Sequence, residues 1–151
     1  PALERIVEAN TLLSGLGFES GGLAVAHSVH NGLTAIPATH QYLHGEKVAF
    51  GTLVQLVLEG RSRDKIDEVL AFCVSVGLPV TLAQLGIHSM NFDQAKAVAQ
   101  IAVADGETAH NEPFPLTWMM ISDAIKAADQ IGKDFLAKRI AHQSLQHEAD
   151  H

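Results

Sequence analysis

Val48-Ala49-Phe50-Gly51-Thr52-Leu53-Val54-Gln55-Leu56-Val57-Leu58 is apolar on almost every side, with Thr52 and Gln55 its only polar side chains. A helix with no polar face must be covered all round, so this stretch predicts a central buried helix with the other elements packed about it. Gly51, in its middle, is small enough to admit a closely packed neighbour. Gly60 and the polar Arg61-Ser62-Arg63 close the helix, because glycine suits the left-handed position that follows a helical C-terminus.

Outward from this helix, apolar side chains recur at three- and four-residue spacing and strand alternation is hard to find. Leu3, Ile6, Val7 and Asn10 trace one helical face, Ile66, Val69, Leu70, Cys73 and Val76 a second, and Val98, Ile101 and Ala102 a shorter one. Ile121, Ala124, Ile125, Ala128, Ile131 and Phe135 form another, opposite Lys126, Asp129, Lys133 and Asp134. Gly77-Leu78-Pro79 ends a helix, Thr81 with Gln84 predicts a capped short helix closing at Gly86, and Asn91-Phe92-Asp93 precedes an Ala-rich helix. Asn111-Glu112-Pro113-Phe114-Pro115-Leu116 reads as an extended loop, since a residue before proline is pushed out of helical geometry. Met119 and Met120 beside Trp118 are expected as core filling, and the charged run from Arg61 to Lys65 as a solvated helix start. The fold class is therefore all-α, a multi-helix array: residues 1–140 form one helical domain, and residues 141–151 a polar tail without an apolar face, expected to fray.

The chain's 151 residues match the size of one domain, and 47% hydrophobic against 18% charged residues is enough apolar surface to build a core. A net charge of −7 repels phosphate backbones and anionic headgroups, which argues against nucleic-acid and membrane partners. Apolar runs are broken well before the roughly 18–20 residues that a bilayer span needs. Cys73 is the only cysteine, so neither an intrachain disulfide nor a cysteine zinc cage forms, and a reducing cytoplasm is the expected location. Pro1-Ala2-Leu3-Glu4-Arg5 has neither an initiator methionine nor a secretion signal, and reads as the start of a truncated chain.

Chemistry concentrates in residues 15–47, where His27, His30, His40 and His44 follow the glycine-rich Gly15-Leu16-Gly17-Phe18-Glu19-Ser20-Gly21-Gly22. In helices, His27 and His30 share one face, as do His40 and His44 one turn apart. Zinc accepts neutral imidazole, and a catalytic site offers three protein ligands and an open position, so two separated histidines with one carboxylate suffice. Spacing alone leaves this open against hydrogen-bonded core or surface histidines. The glycine run lacks both nucleotide-binding orders and follows no strand, so close helix packing explains it better than phosphate binding.

The run Gly17-Phe18-Glu19-Ser20-Gly21-Gly22-Leu23-Ala24-Val25-Ala26-His27-Ser28-Val29-His30-Asn31-Gly32, with His44-Gly45-Glu46-Lys47-Val48-Ala49-Phe50-Gly51, closely resembles the bacterial glycerol dehydrogenases of the iron-containing alcohol dehydrogenase superfamily. The likeness continues through Gly77-Leu78-Pro79, Leu82-Ala83-Gln84-Leu85 and Gly106-Glu107-Thr108-Ala109-His110-Asn111 to about Phe135 and Leu136. The resemblance implies an N-terminal α/β domain that binds NAD, a C-terminal helical domain that carries a catalytic zinc, and a substrate cleft between them. This chain then looks like part of the second domain only. By resemblance His27 and His44 are zinc ligands, whereas His30 is not carried over, and the third ligand is an upstream aspartate with no equivalent here. Phe18 is implied as an aromatic wall against the small polyol. Glu46 and Lys47 adjoin His44 and are read as a structural pair at a helix start.

The implied activity is NAD-dependent, zinc-dependent oxidation of glycerol to dihydroxyacetone. The isolated chain is expected to be inactive, and to associate with itself or with the missing upstream segment. Two other classes compete: a non-catalytic helical module for metal binding or oligomerisation, and a zinc lyase of related architecture like dehydroquinate synthase, which the motif order disfavours.

Overall fold

The structure, a computed structural model, describes residues 24–104 and 116–149. Five α-helices carry the fold: α1 (Ala24–Thr34), α2 (His44–Leu58), α3 (Arg63–Ser75), α4 (Phe92–Ala102) and α5 (Trp118–Ala149). Short 3₁₀ turns occupy Pro37–Thr39 and Ala83–Leu85, and no strand occurs among the described residues. The all-α expectation is met. The expected helix around Leu3 and Ile6, Phe18, the glycine run and all of the 111–116 loop but Leu116 lie outside the described residues.

Helix α1 packs against α2 and α4, and α5 packs against the same two, so these four close a ring with α3 flanking α2. The apolar pattern of α2 dictates its place: every residue from 47 to 56 is buried, and exposure returns only in its last turn. Its buried hydroxyl is satisfied internally, Thr52 Oγ1 donating to the Val48 carbonyl at 2.9 Å. Gly60, at φ +68°, ends the helix as expected, with the Arg61 N–H reaching back to the Leu56 carbonyl at 3.1 Å. In α3, Ser62 caps the first turn by accepting from the Lys65 N–H at 3.2 Å, and Ile66, Val69, Leu70 and Cys73 are buried. In α4 the buried face is Ala95, Val98, Ala99 and Ala102, with Ile101 only half-buried. Asn91 and Gln94 exchange cap bonds there, with Gln94 N–H donating to Asn91 Oδ1 at 2.8 Å.

The segment between α3 and α4 is pinned onto α5. Leu82 N–H donates to Asp129 Oδ1 at 2.8 Å, and the backbone of Gly132 lies so close to the Val80 carbonyl that no side chain fits between them. Thr81 caps the 3₁₀ turn, Gln84 N–H donating to its Oγ1 at 3.2 Å, while Gln84 Oε1 accepts from Val80 N–H at 2.7 Å.

Two expectations are corrected. Met119 and Met120 are not core filling: they are 56% and 37% exposed, because α5 turns its buried face inward only from Ile121. Met119 instead lines a groove of about 420 Å³ with Phe92, Trp118, Ser122, Asp123 and Lys126, where Lys96 Nζ sits 5.1 Å from the Trp118 ring. The 141–149 stretch, expected as a frayed tail, is helical as the end of α5, although residues 141–146 are all exposed. Propagation explains this: once a helix is nucleated by its packed half, Ala, Gln, Leu and Glu extend it at little cost.

Cys73 is fully buried, and burial pushes its thiol up to about 12 from 9.0. The unfolded chain then loses the thiol proton from about pH 9 while the folded chain keeps it, so this group's contribution to stability falls as pH rises between 9 and 12. Denaturant titrations from pH 8 to 11 should show a steeper loss of stability in the parent chain than in Cys73→Ala. Gly51→Leu is expected to cost about 1–3 kcal/mol by overpacking, read as a lowered thermal midpoint, because a Cβ at position 51 would lie 2.6 Å from the Ala26 carbonyl oxygen.

Candidate metal centre

The two motif histidines sit on helices joined backbone to backbone. Gly51 of α2 lies against Ala26 of α1, the residue before His27, where even a Cβ would fall 3.0 Å from the Ala26 Cα. One turn along α2, the fully buried Gln55 accepts from the Ala26 N–H at 3.1 Å through Oε1. At its other end α1 meets α4, where Gly32 leaves room for the Val98 backbone and a Cβ would reach 2.9 Å from Val98 Cγ1. The glycines that close the His-x-x-His-Asn-Gly run and the His-Gly-Glu-Lys-Val-Ala-Phe-Gly run are thus the contact points that fix α1 between its neighbours.

His27 is exposed in the first turn of α1, and His30 lies one turn on, half-buried, with Nδ1 3.2 Å from Asn31 Oδ1. Both share α1, as their spacing predicts. His40 and His44 share no helix: α2 begins at His44, after Leu43 in extended geometry at φ −73°, ψ 155°. His40 instead holds the end of α1, its Nε2 donating to the Thr34 carbonyl at 2.7 Å. Buried Thr39 reinforces that turn, with Oγ1 2.8 Å from both the Leu33 and Ile36 carbonyls. His44 is placed by its backbone as the first residue of α2.

Glu46 takes the structural role at a helix start expected of it: its carboxylate turns back to accept from the Leu43 N–H at 3.2 Å, capping the helix whose first residue is His44. Lys47 is buried at 6% exposure one turn after His44. Its burial follows from position: residue 47 precedes Gly51 by four and faces the same side of α2, toward α1.

Sequence reasoning also passed over Gln55. The signal was present, since an amide in an otherwise apolar buried helix requires a partner, but nothing in the sequence identified that partner as a backbone N–H 29 residues earlier.

Imidazoles on paired helices have the right donor chemistry for zinc. Among the described residues, however, no group of three His, Cys, Asp or Glu side chains is placed to hold an ion. No helix among the described residues is long and apolar enough to cross a membrane.

No family model matches the chain. It is 58% identical over 136 residues to a glycerol dehydrogenase from Pseudomonas putida, a match that covers 90% of this chain and 37% of that protein. A glycolaldehyde reductase from Halobacterium salinarum is 53% identical over 132 residues, covering 87% of this chain and 36% of its own length. The crystal structure of glycerol dehydrogenase from Schizosaccharomyces pombe superposes with a TM-score of 0.76 at 41% identity, over 85% of this chain and 33% of that one. The chain thus spans little more than a third of the length of the relatives it matches.

Proposed function

Since the chain is homologous to the C-terminal helical part of the glycerol dehydrogenases, we propose that it supplies the metal-binding half of an NAD-linked, zinc-dependent enzyme that oxidises glycerol to dihydroxyacetone. The observation that carries this reading is the pairing of α1 and α2 through Gly51 and Gln55, which fixes the helices bearing His27 and His44 to one another. His27 and His44 hold the metal together with a carboxylate from outside the described residues. Bound zinc supplies Lewis acidity to the substrate hydroxyl, and bound NAD supplies the hydride acceptor.

The chain's own residues contribute position and exclusion of water. The two imidazoles fix where the substrate oxygen sits, and the packed backbones beneath them keep that point from drifting, which matters because a small misplacement costs a large factor in rate. Phe18, which lies outside the described residues, is proposed as the aromatic wall against the polyol carbons by resemblance. The glycerol dehydrogenases among the relatives support glycerol as the substrate, and the glycolaldehyde reductase supports small hydroxylated compounds as its class.

The alternative is a helical metal-binding or oligomerisation module without catalysis. The exposed Leu43, Phe92, Met119 and Leu145 give such a module apolar surface for association.

Two measurements decide between them. NADH formation from glycerol and NAD, with zinc present, is expected from a chain that includes the upstream nucleotide-binding region and not from these 151 residues alone. Turnover by the short chain would overturn the division of labour, and none by the longer one would favour the module. In the longer chain His27→Ala and His44→Ala should each lower zinc content and turnover together, beyond the roughly 10–100-fold loss typical of outer partners of a metal ligand. His142→Ala and His147→Ala should change neither; full zinc and turnover after either ligand substitution would sink the assignment.

A further inference from the structure

Gln55 is the largest fully buried polar side chain of α2, at a position where the helix's apolar pattern would accept leucine or methionine. What the amide provides is directed. Ala26 lies near the start of α1 as described, and its N–H faces α2. Gln55 Oε1 accepts that proton at 3.1 Å, tying α1 to a neighbouring helix. The other end of the amide is tied as well: Nε2 donates to Glu59 Oε2 at 3.4 Å, and Glu59 Oε1 accepts from Arg61 Nε at 3.3 Å. A continuous polar line thus runs from the start of α1 to the end of α2, and it attaches one residue before His27.

We infer that Gln55 is a positioning residue for the His27 imidazole, setting the depth and rotation of the first turn of α1 through the Ala26 N–H. The inference rests on the proposed role of His27 as a metal ligand. Three features make the bond a control point. Gly51 brings the α1 backbone within reach of a side chain one turn along, and any Cβ there would push the Ala26 N–H away from Gln55. Ala26 itself is fully buried, so water cannot substitute for the missing acceptor. His27 follows Ala26 directly on the same turn, so the depth of the Ala26 backbone sets that of the His27 Cα.

The test uses the full-length protein and cobalt(II) alone as the probe, with affinity measured by chelator competition, the visible spectrum of the bound ion, and amide hydrogen exchange over residues 24–30. Gln55→Met and, as an apolar replacement of different shape, Gln55→Leu should weaken cobalt roughly 10–100-fold. Both should alter its spectrum and speed exchange over residues 24–30 while leaving the α3 amides unchanged. The exchange variant, Gln55→Glu with Glu59→Gln, keeps an acceptor beneath Ala26 and an amide donor beside it, and should restore affinity and spectrum. His27→Ala run in parallel separates the two ideas: cobalt held normally by His27→Ala defeats the functional reading. Cobalt lost by His27→Ala but held normally by both apolar Gln55 variants defeats the positioning role alone. A loss in the apolar variants that the exchange variant does not recover would assign the effect to general packing and likewise overturn it.

Discussion

The contact of the Gly51 backbone with Ala26 is the constraint on which the rest of the molecule depends. Two helices with side chains at their crossing stand 8–10 Å apart, and a glycine at the crossing lets them come closer. That closeness places the Gln55 amide against the Ala26 N–H, and it leaves no space on this face of α2 for water. The same device recurs within the ring at Gly32 against Val98, and at Gly132 it seats the segment between α3 and α4 on α5. Side-chain packing fills what these contacts leave.

A helix buried this completely forces a decision on each of its polar groups. Thr52 returns its hydroxyl to its own helix, and Gln55 spends its amide on a neighbour, so both are explained by satisfaction of hydrogen bonds alone. Lys47 differs in kind, because a long basic side chain in a 6% exposed residue stands one turn from His44, just before the apolar run begins. Cys73, in α3, shows the opposite solution: burial drives the thiol toward its neutral form and makes it an ordinary core residue.

Most of the architecture was legible in the sequence because the signals were local. Glycine at positions 60, 77 and 86 takes positive φ, as the helix-ending pattern predicts, and the all-round apolar run of α2 was enough to place it centrally. The misreadings share a cause. The exposure of Met119 and the exit of His40 from the α2 face are set by where each helix begins and which side of it meets a neighbour, information that composition does not hold. The candidate site divides in the same way. The two histidine motifs were conspicuous as motifs, but that their terminal glycines are the joints between α1, α2 and α4 appears only when the helices are seen together.

Placement of the imidazole at position 27 is therefore a property of the ring rather than of α1. An 11-residue helix is below the length at which helices persist alone in water, so α1 owes its order to what it packs on. Its first turn is held by α2 at Ala26, and its last by α4 at Gly32. Helix α4 is in turn seated on α5, with Phe92 edge-on to Trp118 at 6.1 Å, and α5 returns to α2 to complete the circuit. A change at Gly51 or Gly32 therefore bears directly on the backbone of α1. The chemistry proposed for His27 and His44 consequently depends as much on glycines and one amide beneath them as on the imidazoles themselves.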